Sequence, residues 1–176
     1  MKDRGVPRAW ALTIAWIAII ALESFVGSGG NTSRILRPLL KWLLPAMTPA
    51  QFVFIHGAVR KTGHFVGYAV LSLLFYRSWW TTLRARSGTA ALSWAAMLRA
   101  WMWRAAVLAL LGTLVIAAAD EFHQSFAPGR GASIHDVALD GLGGLGVQCW
   151  MLAFSSSMAV GESKRRNRGK PNLTSA

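Results

Sequence analysis

The sequence predicts an all-α, polytopic membrane protein, built as a bundle of four transmembrane helices with interfacial helical connections. Of its 176 residues, 53% are hydrophobic and only 15% are charged, which is less charge than soluble domains usually carry. The apolar residues cluster in four runs of the length that crosses a bilayer, at about 9–26, 62–80, 101–119 and 134–154. Lys and Arg gather between these runs, which is typical of membrane proteins.

These runs divide the chain into three parts. Residues 1–8 form a short N-terminal segment, and 9–155 form the membrane domain. Residues 156–176 form a basic tail that we expect to be disordered and to touch anionic lipid head groups. The first run follows a basic start, as a signal peptide does, but no small-x-small cleavage site follows it and Glu23 lies near its end. We therefore expect it to remain as the first helix.

The distribution of positive charge predicts the orientation. With four spans, both termini lie on one side, and that side holds thirteen basic residues: Lys2, Arg4, Arg8, Arg77, Arg84, Arg86, Arg99, Arg104, Lys164, Arg165, Arg166, Arg168 and Lys170. The other side holds six: Arg34, Arg37, Lys41, Arg60, Lys61 and Arg130. By the positive-inside rule, both termini are cytoplasmic. This distribution accounts for the net charge of +12, and no nucleic-acid partner is expected.

The connections carry local helix signals. Residues 32–44, "TSRILRPLLKWLL", place three basic side chains opposite four leucines, as in a helix that lies flat in the outer membrane interface. The next segment, "TPAQ" at 48–51, has the spacing of a capping box with proline in the first turn. The second helix is therefore expected to begin near Pro49. Ser133, just before "IHD", is expected to cap the fourth helix.

Ionisable side chains converge on the outer ends of the predicted spans. Five of the seven acidic residues fall in this layer, because alternate helices cross the bilayer in opposite directions. Such groups are costly near hydrocarbon and usually face the interior of a bundle, where they pair with one another. We therefore predict a polar site at the outer face. Its members are Glu23, Lys61, His64, Asp120, Glu121, His123, Gln124, Arg130, Asp136 and Asp140.

Local helix structure can explain the position of Asp136 in this layer, but it does not explain that of Asp140. Asp136 lies in the first turn of its helix, where the helix dipole alone would favour a carboxylate. Asp140 lies one turn deeper and shares its helix face with Gly143 and Gly144, where a neighbouring helix can approach closely. We therefore expect Asp140 to be buried and partnered. Lys61 could instead extend to lipid head groups, as lysines near helix ends commonly do.

Three segments resemble the VanZ-like family of membrane proteins. They are "KTGHFVGY" (61–68), "ADEFHQSFAPGRGASIHDV" (119–137) and the glycine-rich helix after Asp140. The residues that match the family's pattern are Lys61, His64, Asp120, Glu121, Gln124, Phe126, Pro128, Gly129, Arg130 and Asp136. Asp140 stands where the family often has Asn, so no role is carried over to it. The resemblance implies a small multi-pass protein of the bacterial cell envelope, in the cytoplasmic (inner) membrane, and an association with low-level resistance to the glycopeptide teicoplanin.

Three functions remain open from the sequence. In the first, the outer site binds an anionic or lipid-linked ligand, such as a lipid-linked cell-wall precursor or a glycopeptide. Arg130 would hold its phosphate or carboxylate through a bidentate fork, and Lys61 would act as a point charge. The proposed binding residues are Lys61, His64, Gln124, Arg130, Asp136 and Asp140. Membrane lipids are the other expected partners.

In the second, the protein is an intramembrane hydrolase or transferase that acts on a lipid-linked phosphate. The catalytic candidates are Asp120, Glu121 and His123, which could supply acid–base groups. In the third, the charged layer is a structural clasp without a ligand. No metal and no cofactor is expected, because His64, Asp120, His123 and His135 form no tight metal-binding motif.

Overall fold

The structure, a computed structural model, describes residues 5–27, 31–88, 93–126 and 133–168. This part of the chain is all-helical and contains no strand, as the sequence predicts. Its helices are α1 (Gly5–Gly27), α2 (Asn31–Leu43), α3 (Pro49–Arg86), α4 (Trp94–Arg99), α5 (Trp103–Gln124) and α6 (Ile134–Arg168). The long helix α3 is central, since it packs against α1, α5 and α6. Tyr68, Leu71, Tyr76 and Trp80 of α3 are almost completely buried in the core.

Helix α1 runs antiparallel to α3. Near the start of α1, the Trp10 indole N–H donates to the Thr82 hydroxyl at 3.1 Å. Further along α1, the Trp16 indole N–H donates to the Gly67 carbonyl at 3.0 Å. Later residues of α1 therefore meet earlier residues of α3, which fixes the antiparallel direction.

Helix α5 also runs antiparallel to α3. The Tyr76 hydroxyl accepts the backbone N–H of Met102, just before α5, at 2.8 Å. The Tyr68 hydroxyl, two turns earlier on α3, donates to Asp120 near the end of α5 at 3.1 Å. The end of α5 therefore lies beside the middle of α3.

Helix α6 is parallel to α3 and in fixed register with it. Three side-chain pairs join the two helices, and each pair is separated by 76 residues in the sequence. The pairs are Arg60–Asp136, His64–Asp140 and Ser72–Gln148. Because α1 is antiparallel to α3 and α6 is parallel to it, the start of α1 and the end of α6 lie at the same end of the bundle.

Glycines let α3 and α6 approach each other closely. A Cβ atom on Gly143 would collide with the backbone carbonyl oxygen of Phe65, which cannot move away as a side chain could. A Cβ on Gly144 would lie 3.3 Å from the Ser72 Cβ. The predicted close approach at this face of α6 is confirmed, and Asp140 beside it is 2% exposed.

Within the described residues, three helices are long and apolar enough to cross a membrane: Gly5–Ser24 of α1, Trp103–Gln124 of α5 and Ile134–Met158 of α6. The second predicted span, 62–80, lies within α3, which has the length but is less apolar. Its polar side chains have partners on other helices, as Tyr68, Ser72 and Ser78 illustrate. The three apolar helices indicate a membrane protein.

The local helix signals predicted in the connections are present. Helix α2 covers most of the amphipathic segment. Helix α3 begins at Pro49, and both hydrogen bonds of the capping box are present between Thr48 and Gln51. The Ser133 hydroxyl accepts the Asp136 backbone N–H at 3.3 Å and so caps α6.

Helix α6 extends further than expected. We predicted a disordered tail from residue 156, whereas the helix continues to Arg168. The segment 156–168 contains Ala, Met, Glu, Lys and Arg, which are good helix formers, and it contains no proline. Its one glycine is Gly161, and the segment contains no other residue that would end the helix.

Candidate functional site

A network of buried polar side chains lies where α3, α5 and α6 meet. On α5, one carboxylate oxygen of Asp120 accepts two hydrogen bonds. One comes from the Tyr68 hydroxyl at 3.1 Å, and the other from the Gln124 amide at 3.0 Å. All three side chains are buried, so Asp120 ties α5 to α3 through polar groups that have little access to water.

Glu121 has a different partner from its sequence neighbour. Its carboxylate accepts the backbone N–H of Ser133 at 2.8 Å, directly before the first turn of α6. Backbone N–H groups at a helix start lack partners within the helix, and the helix dipole favours a negative charge there. Glu121 is 6% exposed and therefore holds the start of α6 against the end of α5.

His64 and Asp140 form the deeper of two pairs between α3 and α6. The His64 Nδ1 lies 3.4 Å from Oδ2 of Asp140, whose side chain is 3% exposed. The other carboxylate oxygen, Oδ1, is buried and has no hydrogen-bond partner among the described residues. His64 keeps 26% of its side chain exposed, and its ring centroid lies 6.2 Å from that of Tyr68. The two rings thus connect the Asp140 pair to the Asp120 group.

Arg60 and Asp136 form the shallower pair. Each of them lies one turn nearer to the start of its helix than His64 and Asp140 do. Their side chains approach to 3.4 Å and remain 34% and 22% exposed. Lys61 is exposed beside them and has no ion pair with a described residue. The site therefore carries two neighbouring cations at its accessible end, with buried carboxylates beneath them.

A small cavity lies between the two pairs. Its volume of about 10 Å³ is close to that needed by one water molecule. The residues that line it are Arg60, Lys61, His64, Asp136, Leu139 and Asp140. Asp140 is one of these lining residues, and the volume limits the guest to a single water molecule unless the cavity rearranges.

The structure brings most of the sequence-predicted residues together. His64, Asp120, Glu121, Gln124, Asp136 and Asp140 belong to the network, and Lys61 lies at its edge. His123 is exposed, and so is Glu23 on α1; neither has an ion pair with a described residue. Arg130, with the turn predicted around it, lies outside the described residues.

The sequence analysis did not place Arg60 in the site, although Arg60 pairs there with Asp136. The spacing of residues on α3 and α6 does indicate the Arg60–Asp136 pair. Arg60 and His64 are four residues apart, and so are Asp136 and Asp140, so parallel neighbouring helices can form both pairs at once.

The histidines and carboxylates do not assemble a metal site in the described part of the chain. No group of three or more His, Cys, Asp or Glu side chains is placed there to hold an ion. The polar network instead consists of hydrogen-bonded and ionic pairs between helices.

Comparison with known proteins identifies the family. The model of the VanZ/LLP1 family matches residues 9–154, from the second turn of α1 to the middle of α6. No curated protein and no solved structure matches the chain. The match covers most of the sequence and every polar contact of the site, and the chain belongs to the VanZ/LLP1 family.

Proposed function

We propose that this protein is a multi-pass protein of the bacterial cytoplasmic membrane that binds an anionic, lipid-linked ligand at its outer face. In this proposal α3 spans the membrane together with α1, α5 and α6, and both termini are cytoplasmic. The excess of Lys and Arg on that side supports the orientation. The ligand would be a lipid-linked cell-wall precursor or a glycopeptide, and teicoplanin resistance is the phenotype in which binding would be observed.

The observation that carries the proposal is the pair of adjacent cations, Arg60 and Lys61, above buried carboxylates. Lys61 has no ion pair with a described residue, and Arg60 shares an exposed one with Asp136. An exposed ion pair contributes little to stability, about 0–1 kcal/mol, so a phosphate can replace Asp136 at small cost. A positive site that only held the helices together would not need a second, unpaired cation.

The two cations would contact the anionic ligand in different ways. The planar guanidinium of Arg60 can donate two parallel hydrogen bonds to a phosphate or carboxylate, whereas the Lys61 ammonium acts as a point charge. Asp136 keeps the Arg60 side chain in position while no ligand is bound. Beneath them, His64 and Asp140 hold α3 and α6 in register. Arg130, which precedes α6 in the sequence, supplies a third cation in this proposal.

Teicoplanin susceptibility tests this function. A susceptible bacterial host would express the parent protein, Lys61→Ala, Arg60→Ala or the double variant, at membrane levels matched by immunoblot. Arg86→Ala, at the opposite end of α3, is the control. We expect the double variant to lose protection and Arg86→Ala to keep it. Full protection by the double variant would exclude the two cations as the binding site.

A second candidate function is hydrolysis or group transfer on a lipid phosphate. It is favoured by the His64–Asp140 pair, in which Asp140 contacts Nδ1 and leaves Nε2 without a hydrogen bond to a described residue. An imidazole held in this way can act as a general base. Nε2 would take a proton from water while the water oxygen bonds to phosphorus and the bond from phosphorus to the lipid oxygen breaks; the lipid oxygen would then take that proton from Nε2 and leave as the alcohol. Release of phosphate from a lipid phosphate that depends on His64, but not on exposed His123, would establish this activity.

A further inference from the structure

A group of arginines lies at the end of the bundle opposite the candidate site. No Asp or Glu occurs in residues 24–119, whereas the same stretch contains ten Lys and Arg. The acidic residues next to this end in the sequence are Asp3, just before α1, and Glu162, late in α6, and each has basic residues beside it. The described arginines here have no ion pair with a described residue: Arg8, Arg77, Arg84, Arg86, Arg99 and Arg104. This end therefore carries more positive charge than its own carboxylates can balance.

Two of these arginines are held against tryptophan rings. The Arg77 guanidinium lies over the Trp94 ring of α4 at 4.4 Å from its centroid, and the Arg84 guanidinium lies over the Trp80 ring at 5.2 Å. Residues 77, 80 and 84 are spaced by three and four positions, so they share one face of α3. Trp80 is 1% exposed, and its indole N–H donates to the Ala100 carbonyl, directly after α4, at 3.3 Å. Helix α4 is thus fixed against α3, and both guanidiniums are positioned by rings.

This arginine–tryptophan face, formed by Arg77, Trp80, Arg84 and Trp94, lies where the apolar part of the bundle ends. The backbone N–H directly before α5 donates to the Tyr76 hydroxyl, so the apolar helix α5 starts level with the residue next to Arg77. Arg84 lies two turns further along α3, but its guanidinium extends back over Trp80 towards Arg77. Lipid head groups occupy about 5–8 Å on each side of the hydrocarbon. Both guanidiniums therefore lie at the depth of the head groups.

We propose that the arginine–tryptophan face binds the phosphate of an anionic phospholipid, at a site separate from that of the proposed function. Guanidinium groups donate paired hydrogen bonds to phosphate oxygens, and no carboxylate of a described residue competes for these two. A zwitterionic head group is disfavoured because its ammonium would repel the arginines. The partner is a lipid rather than a soluble anion, since the exposed apolar side chains Trp103 and Val107 of α5 begin beside the face and suit hydrocarbon chains.

Native mass spectrometry tests the proposal. The full-length protein in detergent would be titrated with dioleoyl phosphatidylglycerol or with dioleoyl phosphatidylcholine. We expect tighter binding of phosphatidylglycerol. The double variant Arg77→Gln, Arg84→Gln should weaken it by at least about tenfold, the loss expected for one charge-assisted hydrogen bond, and should leave phosphatidylcholine unchanged.

A matched double variant separates a built site from net charge. Arg8→Gln, Arg86→Gln removes the same number of charges from this end of the bundle. Arg86 lies nine residues from Arg77, which is about 180° around α3. We expect this control to bind phosphatidylglycerol as the parent does. An equal loss of affinity in both double variants would overturn the proposal, because binding would then follow net charge alone.

The ring that positions Arg77 provides an independent test at constant charge. Trp94→Leu keeps both arginines and removes one cation–π contact, so it should weaken phosphatidylglycerol binding roughly two- to fivefold. Trp94 is 42% exposed, so the variant should fold, and an unfolding temperature in detergent checks this. Trp42→Leu, at an exposed position on α2, is the control. Unchanged affinity in a folded Trp94→Leu variant would overturn the built site, and this variant serves if the double variant does not fold.

Competition and an outer-site variant identify the source of the anion and its location. Inorganic phosphate or poly-glutamate, at the concentration of the lipid, should not displace phosphatidylglycerol. Displacement by either would overturn the lipid assignment in favour of a soluble anion or an acidic protein. Lys61→Gln should keep the affinity for phosphatidylglycerol. A loss in Lys61→Gln, with no loss in the Arg77 and Arg84 variant, would overturn this inference and leave the outer anion site of the proposed function standing.

Discussion

Asp120 and Glu121 are neighbours in the sequence, yet their carboxylates bind groups on different helices. Asp120 accepts hydrogen bonds from Tyr68 of α3 and from Gln124, while Glu121 accepts the Ser133 N–H at the start of α6. Consecutive residues on an α-helix point about 100° apart, so one turn of α5 can face both neighbours. Two adjacent acids at the end of an apolar helix therefore join α5 to α3 and to α6 separately.

Replacing Asp120 should destabilise the bundle. Asp120→Ala leaves the buried Tyr68 hydroxyl without its acceptor, and a stranded buried donor costs roughly 1–3 kcal/mol. We expect a lower thermal unfolding temperature in detergent. The double variant Asp120→Ala, Tyr68→Phe should regain part of the loss, because it removes the stranded hydroxyl. The exposed His123→Ala is the control, and an unfolding temperature equal to the parent's in Asp120→Ala would contradict the role assigned to Asp120.

Removing the Glu121 carboxylate should loosen the start of α6. In Glu121→Ala the Ser133 N–H loses its acceptor, so the amides of the first turn should exchange with solvent more quickly. Hydrogen exchange measured by mass spectrometry on peptides that cover 133–137 would detect this. Glu121→Gln keeps a side-chain carbonyl oxygen and should stay close to the parent. Unchanged exchange in Glu121→Ala would show that the cap from Ser133 alone holds the helix start.

Even one methyl group at Gly143 should force α3 and α6 apart. A Cβ there meets the Phe65 carbonyl oxygen, and this backbone atom cannot rotate away. Overpacking of this kind costs roughly 1–3 kcal/mol, so Gly143→Ala should lower the unfolding temperature. Gly146→Ala is the matched control, three residues along the same helix, because nothing lies within 4 Å of its Cβ position. Equal unfolding temperatures for the two variants would contradict the close approach.

The two ends of α3 should react from opposite sides of the membrane. In a Cys149→Ser background, Ala46→Cys lies just before α3, and Arg86→Cys lies at its end; both positions are exposed. We expect a membrane-impermeant maleimide to label Ala46→Cys in intact cells and Arg86→Cys only after permeabilisation. Labelling of both in intact cells would exclude α3 as a span in the proposed orientation.

Features with local causes could be predicted from the sequence. The capping box of Thr48 and Gln51 and the cap from Ser133 depend on residues within one turn, and both are confirmed. The long apolar helices α1, α5 and α6 follow from hydropathy. Helix α3 was harder to assign, because its polar side chains face other helices, and hydropathy does not distinguish these from polar side chains that face water.

The partners within the site could be predicted only as a group. Placing His64 near Asp120 and Asp140 required the directions of the helices, which the order of the spans supplies. Pairing Arg60 with Asp136, and leaving Lys61 exposed, required the rotation of α3 about its axis. That rotation follows from the contact of Phe65 with Gly143, a long-range fit that no local pattern reveals.

The 76-residue register between α3 and α6 limits how this molecule can change shape. A slide of α6 along α3 by one turn, about 5.4 Å, would misalign Arg60, His64 and Ser72 with all their partners at the same time. We therefore expect α3 and α6 to move together as one rigid body. Widening of the small space around Asp140 then has to come from side-chain rearrangement at Arg60 and Lys61, or from movement of α5 away from α3 and α6 once both the Tyr68–Asp120 and the Glu121–Ser133 contacts are released.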